Sequence, residues 1–350
     1  MSSRTMAARI SQWALIPFLL LPTFVLGPLT VAKESSDDRA SVIVAVSAPG
    51  EETYGETFTK WAQQWSQAAR SGDARQQVIG LSSTSRDPLG DLKQALEEEA
   101  KDGASPLWIA LLGHGTFNGK EPKFNLPGDD LKASDLAAWL APFHRPVVLI
   151  CSFSSSGAWL KPLTGRDRVI VTATKSGSEI NYSRFGGYFA TAIADPAADI
   201  DKDGQTSVLE AWLYASKQVE DYYKAEGRLA TEHSLLEDNA DGLGTPSTWF
   251  SGVRAVKKPK GNSQPDGARA HQISLVPSTD ERELAPELRQ QRDQLELELA
   301  RLREQKASLP EEEYFAKLED VLLRIARLYH EERPKRPPPS PPVPAAAPAR

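Results

Sequence analysis

From Ser41 onward, short runs of apolar and β-branched residues alternate with stretches whose apolar positions recur at helical spacing. Val42 to Val46 is a continuous apolar run that predicts a buried strand. Phe58, Trp61 and Trp65 follow at spacings of three and four, which predicts a helix over about Glu56 to Arg70. Val78 to Leu81 predicts a short second strand. Asp87-Pro88 is an N-cap with proline at the first helical position, and Leu89, Leu92 and Leu96 give that helix its apolar face. Leu107 to Leu112 predicts a buried strand ending at Gly113-His114-Gly115. Ser134 is placed to cap a helix through Leu136, Trp139 and Leu140, and Pro146 to Ile150 predicts a strand ending at Cys151. Arg168 to Thr174 predicts a further strand. Strands separated by covering helices define an α/β class with a mostly parallel sheet, spanning residues 41–252.

Past Arg254 the composition turns to Lys, Gly, Ser, Gln and Pro, which marks residues 253–277 as a linker. Ser278 with Glu281, and Ser308 with Glu311, both fit the capping-box spacing. Leu288, Leu295, Leu299 and Leu302 line one helix face, and Tyr314, Leu318, Val321, Ile325 and Leu328 line another. A helical hairpin or coiled coil over 278–332 is the economical reading, with stripes narrow enough to want a partner or a second copy. Residues 333–350 are Pro/Ala-rich and read as a disordered tail.

At the other end, Arg4 and Arg9 precede an apolar run from Trp13 to Ala32 and then the charged Lys33 to Asp38. Residues 1–32 therefore read as an export signal or an N-terminal anchor. Pro17, Pro22, Gly27 and Pro28 would interrupt a membrane helix, so the flanks favour export to a secreted or periplasmic location. The lone Cys151 excludes an internal disulfide framework. With 47 acidic and 41 basic residues and no basic stripe, the chain has no footprint for nucleic acid.

Asp199 to Glu210 matches a complete EF-hand-type loop. Asp199, Asp201, Asp203, Gln205, Ser207 and Glu210 fall at the oxygen-donor positions, and Gly204 falls where the loop must turn sharply. Calcium is the cation such hard donors suit. Val208, Trp212, Ala215, Val219 and Tyr222 make a convincing outgoing helix. Asp195-Pro196 cuts the incoming one short and no partner loop is evident, so the reading is a fixed structural clip rather than a sensor. Glu237 to Gly242 is acidic and turn-like, able to add a ligand or to hold a second ion.

His114 and Cys151 each follow a predicted strand, at the sheet edge where open parallel sheets place their sites. A thiolate beside an imidazole is a nucleophile with its own proton donor. His144 precedes a strand, at the opposite edge, and His233, His271 and His330 read as surface residues. An apolar strand into His-Gly, a second into Cys, and a third into a polar turn is an arrangement that resembles the caspase, legumain and gingipain cysteine peptidases. The resemblance covers about Ser41 to Phe250. It implies a caspase-hemoglobinase fold, with Cys151 as nucleophile, His114 as general acid/base and Gly115 at an oxyanion site. It also implies that Thr172, Thr174 and Ser176 shape the pocket. Ser152 to Ser156 intervene before Gly157, which leaves a second assignment open: Cys151 ends a buried strand and a Ser-rich loop stands where the family carries its thiol.

Two functions follow as expectations. One is an exported, calcium-stabilised cysteine endopeptidase acting on peptide or protein. The other is a catalytically inactive calcium-binding scaffold of the same fold that engages a protein partner through its C-terminal helices.

Overall fold

The computed structural model describes residues 39–81, 86–259 and 264–332. The segment read as an export signal or anchor, the Pro/Ala-rich tail and residues 82–85 and 260–263 lie outside the described residues.

Strand β1 (Ser41–Val46) leads through helix α1 (Glu52–Ser71) to β2 (Arg75–Ile79), then through α2 (Pro88–Glu98) to β3 (Leu107–Gly113). A small antiparallel sheet follows: β4 (Gly115–Phe117), β5 (Pro122–Phe124) and β6 (Leu131–Lys132). Helix α3 (Ala133–Leu140) precedes β7 (Val147–Phe153), and the short α4 (Leu160–Leu163) precedes β8 (Arg168–Thr172). Next come α5 (Phe185–Ala192), α6 (Val208–Ala225), β9 (Leu235–Glu237) and β10 (Thr245–Pro246). The main sheet runs β10-β9-β8-β7-β3-β1-β2. Strands β1, β2, β3, β7 and β8 are parallel, and β9 and β10 extend one edge in antiparallel pairing. The α/β class with a mostly parallel, helix-flanked sheet is therefore the observed one.

Successive strand residues point to opposite faces, and both faces are covered. Val42, Val44, Val46, Trp108, Leu112, Val148, Ile150, Val169 and Val171 meet Phe58, Trp61 and Trp65 of α1 together with residues of α5 and α6. Ile43, Ile109, Leu111, Leu149, Cys151, Phe153 and Ile170 meet Leu92 and Leu96 of α2, Leu136 and Leu140 of α3, and Trp159. Continuous apolar strands were legible for this reason.

Several boundaries move. Helix α1 starts four residues before the predicted Glu56, and the second strand sits earlier, at Arg75–Ile79. Asp87 caps α2 as expected, accepting from Gly90 N at 2.9 Å. Ser134 lies inside α3 rather than capping it. The strand expected to end at Cys151 continues two residues further, to Phe153, which decides the fate of the thiol.

Beyond the sheet, α7 (Thr279–Glu283), α8 (Pro286–Glu304) and α9 (Glu311–Glu332) follow. Ser278 caps α7 through Glu281 N, but Pro286 starts a new helix after Leu284 and Ala285, so one expected helix is two. Ser308 donates its hydroxyl to Gln305 O instead of capping α9. Leu295, Leu299 and Leu302 of α8 are buried, as are Tyr314 and Val321 of α9, and Arg324 reaches Glu298 at 3.2 Å across the pair. Leu318, Ile325 and Leu328 stay half-buried, so the hairpin forms with its seam only partly covered. No described helix is long and apolar enough to cross a membrane.

Trp65 is fully buried between Trp108 and Phe189, with ring centroids at 6.2 and 5.9 Å. Trp65→Ala is expected to destabilise the domain by about 3–5 kcal/mol, read as a lower urea midpoint at unchanged slope.

Candidate functional site

The sheet order reverses between β1 and β3, and the crevice outside the carboxyl ends of these strands is where such sheets bind ligands. Pro49 follows β1 and His114 follows β3, and they meet there: His114 Nε2 lies 3.2 Å from Pro49 O. A carbonyl only accepts, so Nε2 carries the proton and Nδ1 is the free acceptor of the neutral ring. The ring packs edge-on against Tyr54 and Phe58 at 5.0 and 5.1 Å, with Tyr182 at 6.3 Å. Burial pushes the His114 pKa down, against the pull of Pro49 O and Glu51. The sharp turn into His114 needs glycine at 113, where φ is +133° and a Cβ would lie 2.0 Å from Ser47 Oγ. That hydroxyl accepts from His114 N at 2.9 Å.

Cys151 does not join this histidine. It pairs with Leu111, three residues short of His114, a rise of roughly 10 Å along the strands. Its side chain lies in the layer beneath α2, α3 and Trp159, whereas His114 contacts α1 on the other face. It is fully buried, and burial pushes its thiol far above the usual range. The structure therefore does not bring Cys151, expected as a nucleophile, to His114, and burial disfavours its thiolate.

The register instead sets Phe153 beside Gly113, so the first residue past the strand, Ser154, stands next to His114 at the sheet edge. The Ser-rich loop thus begins at the sheet edge, past the end of β7. Ser154 Oγ donates to Gly115 O at 3.0 Å and receives Gly115 N at 3.4 Å. The close approach requires Gly115, since a Cβ there would lie 2.3 Å from the Phe153 ring. The Gly115 N–H expected at an oxyanion site is therefore already committed.

Thr172 and Thr174 are buried and hydrogen-bonded within the chain. Thr172 donates to Thr174 O at 2.9 Å, and Thr174 Oγ1 accepts from Gly157 N at 2.9 Å. Ser156 Oγ accepts from Ala173 N and Thr174 N at 3.0 and 3.1 Å. Ser176, half-buried, faces Ser178 at 2.8 Å. Thr174 and Ser156 tie the β7 and β8 loops to each other, while Thr172 braces the turn that leaves β8.

In the acidic loop, carboxylate oxygens of Asp199, Asp201 and Asp203 lie within 4.8 Å of one another. Asp199 accepts from Lys202 N and Gly204 N, Asp201 from Asp203 N, and Asp203 from Gln205 N, a chain of turns that aims the three inward. Glu210 is buried outside this group. Its Oε1 accepts from Ile200 N and Asp201 N, and its Oε2 from Ser207 N and Oγ. Ser207 and Glu210 thereby form the capping box of α6. Gln205 Oε1 accepts from Ser278 N at 3.2 Å, tying the loop to α7. The three aspartates fit a hard cation as they stand, while ligation by Glu210 exchanges hydrogen bonds for metal contacts.

Some contacts had no sequence signal. His271, read as an ordinary surface residue, holds Asp201 at 2.9 Å. Val208 N donates to Ile273 O and Leu209 N to Ala270 O, so residues 270–273 cover the start of α6, where the acidic loop ends. A cleft of about 1010 Å³ lies on this side, bounded by Asp203, Phe250, His271, Glu281 and Arg292, away from His114.

No protein-family model matches the sequence, and no curated protein matches it. Among solved structures, the Drosophila initiator caspase Dronc is 12% identical, over 60% of this chain and 82% of its own, at a TM-score of 0.37. Caspase-1 from Spodoptera frugiperda is 14% identical, over 57% and 86%, at 0.36. Raptor from Chaetomium thermophilum is 14% identical, over 46% of this chain but 18% of its own, at 0.32.

Two outcomes check this geometry. The single thiol is expected to stay unmodified by a disulfide reagent in the folded protein and to react with one equivalent in urea, followed by absorbance. His114 is expected to titrate below the ordinary value of about 6.5 in an NMR pH series. The unfolded chain then binds that proton more tightly, so this group's contribution to stability is lost as pH falls through that range.

Proposed function

We propose that the chain is a catalytically silent protein of caspase-like architecture whose acidic loop binds calcium and which serves as a scaffold for a protein partner. One observation carries the reading. The only thiol is buried on the far face of the sheet from His114, and the hydroxyl beside His114 is bonded to the Gly115 backbone. Among the described residues His114 has no thiol beside it, and the neighbouring Gly115 N–H already has an acceptor, which supports a site without the parts of covalent peptide hydrolysis.

Calcium is supported by the three converging aspartates and by the position of the loop. It lies between the end of α5, the start of α6, residues 270–273 and α7, so a bound ion would add a clamp to elements already joined by apolar packing and hydrogen bonds. The ion's part would be structural. The partly covered hairpin of α8 and α9 supports the scaffold reading, through a partner or a second copy. Export rests on the N-terminal residues alone.

A peptide-library digest with and without calcium is expected to show no cleavage above that of Cys151→Ala, and a thiol-reactive peptide electrophile is expected to leave the folded protein unlabelled. Calcium-dependent cleavage lost in Cys151→Ala would sink the silent reading. Chelation is expected to lower the thermal midpoint, since saturation at a hundredfold excess over Kd is worth about 2.7 kcal/mol. Asp203→Ala is expected to lose most of that shift.

A further inference from the structure

The turn that leaves β9 repeats the acidic loop in both spacing and conformation. Glu237, Asn239, Asp241 and Gly242 fall at the same intervals as Asp199, Asp201, Asp203 and Gly204. In the first loop Gly204 N donates to Asp199 at 3.2 Å, Asp203 N to Asp201 at 3.3 Å and Gln205 N to Asp203 at 3.0 Å. In the second, Gly242 N donates to Glu237 at 3.4 Å, Asp241 N to Asn239 at 2.9 Å and Leu243 N to Asp241 at 2.7 Å. The left-handed residues coincide too: Lys202 and Gly204 at φ of +66° and +90°, Ala240 and Gly242 at +67° and +72°.

An independent feature points to a ligand. Glu237 is fully buried, and its Oε2 has no hydrogen-bond partner. Its Oε1 accepts from Thr164 Oγ1 at 2.8 Å and from Gly242 N, so the carboxylate lies against the loop it opens. Neighbouring carboxylates in the same region are matched to donors: Asp238 accepts from Gly267, Arg269 and Ala270 N, and Asp266 from Asp238 N, Asn239 N and Thr245 Oγ1. A buried carboxylate oxygen without a donor is costly, and a cation relieves that cost.

We propose that residues 237–243 form a second calcium-binding loop, with Glu237, Asn239 and Asp241 as side-chain ligands and the Leu243 carbonyl at the seventh position. The donors are all hard oxygens, which suits calcium over zinc. Asn239 replaces one aspartate, position twelve is Thr248 rather than an acid, and Thr245 is committed to Asp266. Water completes the shell, and affinity falls at the weak end for such loops, on the order of 0.1–1 mM.

Calorimetric titration of the calcium-free full chain tests this. Wild type is expected to bind two ions, the second more weakly, and Asp241→Ala, a change at an exposed turn residue, to lose the weak one. Asp203→Ala is expected to lose the tight ion and keep the weak one. Glu237→Gln, close to isosteric, is expected to weaken the second site at least tenfold with an unchanged circular dichroism spectrum, and it decides the matter if Asp241→Ala unfolds. Wild-type stoichiometry in Asp241→Ala, or unchanged affinity in Glu237→Gln, overturns the second loop. A single wild-type ion lost only in Asp203→Ala overturns it as well. A single ion lost only in Asp241→Ala would keep it and remove the first loop's assignment.

Discussion

A parallel sheet covered on both faces leaves no freedom in where a strand residue points, and this constraint governs the rest of the molecule. Once β3 and β7 pair with Gly113 beside Phe153, alternation assigns Val148 and Ile150 to the α1 layer and Leu149, Cys151 and Phe153 to the α2 and α3 layer. A side chain within the pairing is core, and one past its end is available to the sheet edge. His114 and Ser154 lie past the end; Cys151 lies within.

The segments that are not strand or helix core are held by carboxylates accepting backbone N–H groups. Glu232, buried, accepts from Ser183 Oγ, Arg184 N and Phe185 N at the start of α5, where the helix dipole favours an anion. Glu210 does the same for the start of α6, and Asp238 and Asp266 tie residues 266–270 to the end of β9. That last tie has reach. Asp266 holds the turn from β9, and the residues just after it supply Ala270 O, His271 and Ile273 O to the acidic loop and α6. One short stretch of chain therefore connects the two acidic loops.

The edge of the sheet is built as closely as an active site but with its polar groups directed inward. Ser154 with Gly115, Ser156 with Ala173 and Thr174, and Thr174 with Gly157 join the β3, β7 and β8 loops into one hydrogen-bonded unit. His114 is caged by Tyr54, Phe58 and Tyr182 and bound to Pro49 O. The polar groups of this edge are thereby satisfied within the chain.

By itself the sequence determined the α/β class, the layers α1 and α2 bring to the sheet, the hairpin of α8 and α9, and the acidic loop. Each is encoded in local spacing: continuous apolar strands, apolar residues at helical intervals, and donors at fixed loop positions. It could not separate the two uses of Ser207 and Glu210, because Ser-x-x-Glu is both a capping box and the end of a calcium loop. It gave no sign of Tyr182 beside His114 or of His271 beside Asp201, which meet from distant parts of the chain. The layer that Cys151 occupies was hidden for a related reason. Two residues of strand length, set by pairing with β3 and invisible in the apolar run Val147 to Ile150, separate a thiol at the edge from a thiol in the core. Tertiary structure alone decides this, because strand ends are fixed by the neighbour that supplies the hydrogen bonds.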